Sequence, residues 1–494
     1  MKKIIFVITL FCLSLAGCSK KETIITGQFT GESKILRYSV PISEMCYLGF
    51  EDTIKLDEEG SFSLKVEITK PVFIYIWNAE PHKQVKLLVE PGGNYHVVMN
   101  IEEDIQISGT NEKGQMLYAT LPDPYFIQME ARDLQNDSSL ISIHDKIEEL
   151  KLSDLSKFKE LLDNKETSKS FFDLVQTDRD CYYASLEAMV SLLKIYRLIR
   201  SETGLYGTEN GNDLLENLKE IYAKYPPYDE KSTFSSFWYE YVELYIKDYN
   251  QFNQKDFDVQ NFSDLSKKGI LNTFYINESK KYLSGKALEF FQARYIHHVC
   301  YQKNYEKELI ALFEQFEKDF PKSEYSKYLS PFIDEIAQYH QIIEKPLDET
   351  VIFMDNYENL NTLEEVIKSL KGKKIYIDVW AMWCAPCKEE FKNNKALKKI
   401  LVKNDIQQLY ISIDDVQREQ QWKDGIKFYE LAGTHIRANK ELSNDLMKRF
   451  SDNAEKPYIA IPWYILIDEE GNIMEKHAKS PSKIISEGSI FNND

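Results

Sequence analysis

The chain has 494 residues, 43% of them hydrophobic, and a formal charge of −18 at pH 7. That length exceeds what one hydrophobic core supports and suggests about three domains. The acidic balance argues against nucleic acid and against electrostatic attachment to anionic lipid, and seven cysteines are too few and too scattered for a disulfide-stapled scaffold.

Lys2 and Lys3 precede an almost unbroken apolar run from Ile4 to Leu15, too short to span a bilayer as a mature helix and therefore read as an export signal. The run ends in Leu15-Ala16-Gly17-Cys18, which resembles the lipobox of bacterial lipoproteins. That resemblance implies a signal over residues 1–17, cleavage before Cys18, lipid attachment at Cys18 and a tether over 18–23. The plain alternative is an ordinary signal peptide that happens to end beside a cysteine. Loss of Lys2 and Lys3 takes the charge to −20. More than one acyl chain on Cys18 anchors stably where a single chain is marginal. No later segment has the apolar length of a membrane-spanning helix. The expectation is a protein of the cell envelope, held to a membrane by its N-terminal lipid and facing the periplasm, with the outer membrane one of two candidates.

Residues 24–112 read as a small antiparallel β domain, a sandwich or barrel. The segments ITGQF, KILRYSV, DTIKL, SFSLKVEI, VFIYIW, VKLLV and YHVVM are β-rich and separated by turns such as Glu59-Gly60 and Pro91-Gly92-Gly93-Asn94. Residues 113–345 change to a helical period. Leu186, Met189, Val190, Leu193 and Tyr196, and later Leu309, Leu312, Phe313 and Phe316, recur at three- and four-residue spacing. Breaks are expected at Gly204–Asn212, Pro226-Pro227 and Pro321. The many Tyr and Phe of this segment can line a groove, but aromatics at helical spacing are more often core. His297, His298 and Cys300 lack the spacing of a zinc site, and Cys46, Cys181 and Cys300 read as buried thiols, with a Cys181–Cys300 disulfide left open.

Residues 346–494 alternate between strand and helix. IKSLKGKKIYIDVW gives a strand, CAPCKEEFKNNKALKKILV a helix, QQLYISID a strand, REQQWKDGIKFYELAG a helix closed by Gly433, and ELSNDLMKRF a further helix. WYILIDEEGNIMEKHAK is a hairpin turned at Glu470-Gly471. This is an α/β sheet with helices on both faces.

The stretch DVWAMWCAPCKEEF, Asp378 to Phe391, carries two cysteines three residues apart. Zinc needs two more ligands at matching spacing, which are missing, and a disulfide closing so small a loop constrains the unfolded chain very little. Redox exchange suits the pattern. A cysteine between a strand end and a helix N-terminus meets unpaired N–H groups and the positive end of the helix dipole, both of which favour its thiolate. Cys384 is therefore the expected nucleophile, and Cys387, one turn on, the thiol that resolves the mixed disulfide. Pro386 costs nothing in the first turn and stiffens it.

These residues resemble the active-site segment of the thioredoxin superfamily, most closely the membrane-anchored TlpA/ResA-like thiol-disulfide oxidoreductases, and the EPGGNY turn and strand succession resemble the β-rich module that often precedes such a domain. The resemblance implies a C-terminal thioredoxin-like fold with a redox-active Cys384–Cys387 disulfide and no cofactor or metal. Trp380 and Trp383 match residues that flank the approach. Asp378 matches a buried acid that exchanges a proton with Cys387. Glu390 matches an acidic position that tunes the thiols or shuttles protons, the alternative being a solvated helix carboxylate. Ile461 and Pro462 match the cis-proline segment that pairs with substrate backbone, an isomer cheap only before proline. Trp463 then borders the substrate surface, together with Trp383. Three departures stand out: Lys392 replaces a proline that kinks the helix, Trp463 is bulkier than usual, and the tail SKIISEGSIFNND is a poor helix. One sheet face is therefore expected to be covered by the helical domain instead.

The leading expectation is an enzyme that reduces disulfides of partner proteins and is recharged by a membrane thiol donor. A disulfide oxidase or isomerase, and a scaffold lipoprotein that uses the fold as an interaction platform, are the rivals. Nucleic acid is not an expected partner.

Overall fold

The computed structural model describes residues 20–78, 82–137, 139–201, 205, 209–254, 259–370, 372–451 and 458–491. The signal segment and Cys18 lie outside these. Tertiary contacts divide the described chain into two units, one running to Tyr295 and including Phe316–Tyr328, the other formed by Ile296–Gln315 with Leu329 onward.

The first unit opens with eight strands: β1 (Lys21–Thr30), β2 (Ile35–Ser39), β3 (Glu51–Lys55), β4 (Ser61–Ile68), β5 (Val72–Asn78), β6 (Lys83–Val89), β7 (Asn94–Asn100) and β8 (Gln106–Gly109). They form two four-stranded sheets, ordered β4-β1-β7-β8 and β3-β2-β5-β6. In β4 the alternation places Phe62, Leu64, Val66 and Ile68 inside with Ile25, Leu36, Ile74 and Val97, and each such burial contributes roughly 1.5–3 kcal/mol. Two expectations are corrected. Residues 21–23 are not tether, because β1 already pairs there with β4, Lys21 opposite Ile68. The module is not wholly antiparallel either, since β1 and β7 run parallel from Ile24 beside Asn94 to Thr30 beside Asn100. The long intervening chain permits that crossover, and in-out alternation is blind to strand direction.

Helices follow, the longest at Lys169–Ile199, capped by Ser168, whose hydroxyl accepts from Phe171 N. Glu209–Lys224 begins inside the break expected at Gly204–Asn212. The crowded aromatics form core: Tyr222, Tyr241 and Tyr249 are buried, with Tyr222 ring centroids 5.2 and 4.9 Å from the other two.

In the second unit the strands are β9 (Val351–Phe353), β10 (Lys374–Trp380), β11 (Ile406–Ser412), β12 (Gly433–Arg437), β13 (Trp463–Ile467) and β14 (Ile473–Glu475), in the order β14-β13-β10-β11-β12-β9. β10, β11, β12 and β9 are mutually parallel and the terminal hairpin is antiparallel to them. Trp422, Ile426, Leu442 and Leu446 cover one face. The other is covered by Leu397, Leu401, Ile484 and Ile490, packed on Tyr376, Tyr464 and Leu466. The tail therefore does form a helix, Pro481–Glu487, correcting the expectation that helices from the middle domain take its place. Ser480 caps it, Pro481 starts it and left-handed Gly488 ends it.

Three further expectations change. Gly433 does not close a helix but opens β12; Glu419–Phe428 ends earlier, with Glu430 left-handed at φ 52°. The long helix after the cysteines breaks without a proline, through a 3₁₀ turn at Phe391–Asn393. The boundary at 345/346 is displaced, because Ile296–Gln315 and Leu329–Lys345 group with the α/β fold. Among the described residues no helix is long and apolar enough to cross a membrane.

Candidate functional site

β10 is fully buried beyond Lys374 and delivers the chain to the site at Trp380. Ala381–Trp383 form a tight loop, with Cys384 N donating to Ala381 O at 3.0 Å. Cys384 then occupies the cap position of helix Ala385–Glu390. Its sulfur accepts from Cys387 N at 3.2 Å, a first-turn N–H that has no intrahelical acceptor. Pro386 sits in that first turn and surrenders no hydrogen bond. Cys384 and Cys387 are joined as a disulfide, Cα to Cα 5.4 Å, with exposures of 4% and 0%. Cys384 is the slightly more exposed residue of the two.

Asp378 lies on β10 with no exposure, and neither carboxylate oxygen has a hydrogen-bond partner among the described residues. Burial, then the charge of Glu390, pushes its pKa well above the ordinary carboxylate value. Register sets Tyr464 opposite it on β13. The phenols of Tyr376, Tyr410 and Tyr464 are all pushed up, by burial first and by the Asp378 charge next. Glu390 is partly buried and accepts from Ser482 N at 2.9 Å and Ser482 Oγ at 2.7 Å. It ties the redox helix to the terminal helix rather than standing in solvent.

Ile461–Pro462 is a cis peptide bond. Trp463, the next residue, pairs with Val379, so the segment reaches the same sheet end from which the Cys384 loop departs. Ile461 and Trp463 pack against the core that contains both cysteines. Trp463 is partly buried between Phe450 and His477, at centroid distances of 6.0 and 4.3 Å. Trp383 is 52% exposed, as a surface residue beside the cysteines should be, whereas Trp380 is wholly buried, edge-on to Phe391 at 5.0 Å, and flanks no approach.

Two charged side chains escaped the sequence reading. Asp414 is buried and accepts from Met382 N at 2.8 Å and Ser412 Oγ at 2.9 Å, bracing the loop in front of Cys384; burial pushes its pKa up. Its signal is the β10–β11 register, Trp380 beside Ser412, which cannot be read locally. Lys388 is completely buried and donates to carbonyls of residues 302 and 303. Cys46, Cys181 and Cys300 are free thiols, and burial pushes Cys46 and Cys300 up to about 12. Among the described residues no group of three or more His, Cys, Asp or Glu is arranged to hold a metal.

Residues 358–491 match the family model described as Redoxin. A solved Bacteroides vulgatus protein assigned as a thiol-disulfide oxidoreductase is 34% identical, the match covering 24% of this chain and 80% of that one at a TM-score of 0.20. A second protein so assigned from the same organism, solved in solution, is 30% identical over 24% of this chain and 73% of that chain, TM-score 0.20. A thiol:disulfide interchange protein of the thioredoxin family from Chlorobium tepidum is 20% identical, covering 25% and 84%, TM-score 0.21. No curated protein matches the chain.

Proposed function

Because the chain belongs to the thiol-disulfide oxidoreductases of the thioredoxin superfamily, with a redoxin domain at residues 358–491, we propose that it reduces disulfides of partner proteins through Cys384 and Cys387. The observation that carries this reading is the bonded Cys384–Cys387 pair at the start of a helix, with Asp378 buried on the preceding strand.

In the reduced protein the Cys384 thiolate attacks one sulfur of a partner disulfide. A mixed disulfide forms and the partner's other sulfur leaves as a thiolate, which takes up a proton. Cys387 then gives its proton to the Asp378 carboxylate, whose raised pKa makes it a competent base. The Cys387 sulfur attacks Cys384 Sγ, the Cys384–Cys387 bond forms, and the partner's second sulfur departs. Two electrons have passed to the partner, and a membrane thiol donor restores the pair. Glu390, bound to Ser482 at the neighbouring helix, relays the Asp378 proton outward. Trp383, Ile461, Pro462 and Trp463 form the surface on which the partner chain lies. Cys18 carries the lipid that holds the protein to an envelope membrane, facing the periplasm.

The test is a Cys387→Ala trap in the native envelope, with disulfide-linked adducts identified by mass spectrometry. Adducts that vanish when Cys384 is also replaced are the expected result, and the absence of any adduct favours a scaffold. Direction is read from the reduction potential of the pair: a value well above that of thioredoxin, about −270 mV, overturns the reductive assignment.

A further inference from the structure

Lys388 follows Cys387 directly, yet its side chain has no exposure. An ammonium leaves water at a large cost unless its donors find partners. Here Nζ donates to Lys303 O at 2.8 Å and Gln302 O at 3.4 Å, both in the turn after helix Gly285–Tyr301. The charged groups facing it are Lys303, Asp414, Glu306 and Arg418. Burial, then the Lys303 charge, brings the amine down to about 8, so it stays an ammonium at neutral pH.

The turn that receives it is rigidly held. Lys303 and Tyr305 both adopt left-handed backbone, φ 52° and 56°, which side-chain-bearing residues hold only where the surroundings enforce it. Lys303 pairs with Glu389. Tyr305 donates to Glu335 at 3.0 Å, stacks on Tyr339 with centroids 4.4 Å apart, and its carbonyl meets His340 Nε2 at 2.9 Å. One turn from outside residues 358–491 thus grips two consecutive residues of the redox helix. Cys384 caps this helix and Lys388 follows one turn on, with Lys388 N donating to Cys384 O at 3.3 Å.

We propose that Lys388 is a positioning residue of the redox pair: its ammonium, fixed by the turn at 302–305 one helical turn beyond the Cys384 cap, stabilises the Cys384 thiolate. The segment Ile296–Gln315 is then part of the redox site rather than of a spacer. This inference rests on the exchange chemistry proposed above.

The test is alkylation of the reduced full-length protein by iodoacetamide across a pH series, with modification of Cys384 read by peptide mass spectrometry. Lys388→Met and Lys388→Gln both remove the charge, and Gln retains an N–H donor for the carbonyls should the Met variant fold poorly. Both are expected to slow Cys384 alkylation at pH 6 by about threefold or more and to move its midpoint upward. Lys392→Met, which removes an exposed cation of the following turn, is expected to change neither. An unshifted midpoint in a folded, neutral Lys388 variant overturns the proposal, as does an equal shift in Lys392→Met. Alkylation needs no partner protein. A shifted midpoint without any disulfide exchange therefore removes the oxidoreductase reading, while exchange with an unshifted midpoint removes the role of Lys388 alone.

Discussion

Replacing Asp378 by Asn removes a carboxyl from the environment in which a charge is least welcome. The side chain is fully buried, neither oxygen is hydrogen-bonded among the described residues, and burial together with Glu390 holds its pKa well above the ordinary value. In the unfolded chain an aspartate titrates near about 3.9. The folded midpoint is the higher one, so this group's contribution to stability is fully present below about pH 4 and drains away as pH rises, because unfolding releases a proton that the folded protein retains. The slope is about 1.4 kcal/mol per pH unit until Asp378 itself ionises. Over the pH interval above about 4 the Asn variant should therefore gain on the wild type, along that slope for as long as Asp378 keeps its proton. Urea unfolding of the oxidised protein measures this, followed by tryptophan fluorescence from Trp380, Trp383, Trp422 and Trp463. The same variant, with its proton acceptor gone, should resolve a mixed disulfide about 10²-fold more slowly. Unfolding free energies that stay at a constant offset across that pH interval refute the buried, protonated carboxyl, and an unchanged resolution rate refutes its role as base.

Glu390→Ala removes the acceptor for Ser482 N and Oγ and should destabilise the α/β unit by about 1–2 kcal/mol. Adding Ser482→Ala should cost less than it does alone, and full additivity in a double-mutant cycle contradicts the contact. His435 is buried, bonded to Leu431 O at 2.8 Å and stacked on Tyr410 at 4.7 Å, and burial lowers it to about 4. Its folded midpoint lies below the unfolded value of about 6.5, so the stability it contributes is present above that pH and falls by about 3 kcal/mol as pH drops towards 4. His435→Gln should lack that acid-dependent loss, and an equal loss in both proteins excludes His435 as its source.

What could be read from the sequence was local or regularly spaced. The cysteines, Pro386, Asp378 and Glu390 fall within 13 residues of one another, and the chemistry follows from which of them face a helix start. Pro462 entered through family likeness, and its place is explained by β13 pairing with β10. Strand direction was not legible: β1 alternates identically whether β7 runs parallel or not. The edge strand β9, three residues long, is too short for periodicity to register, and β12 goes unassigned because Gly433, where it opens, reads as a helix stop. Lys388 was hidden most deeply, since the carbonyl that holds it belongs to Lys303, 85 residues earlier. No periodic pattern links positions so far apart. Asp414 shows the same limit at shorter range, visible only once β10 and β11 are in register.

The central claim, that Cys384 and Cys387 pass electrons to protein disulfides, is tested most directly by insulin disulfide reduction in dithiothreitol with the full-length protein as catalyst. Wild type should accelerate reduction and a folded Cys384→Ser variant should not. Equal acceleration by the two proteins would contradict the account.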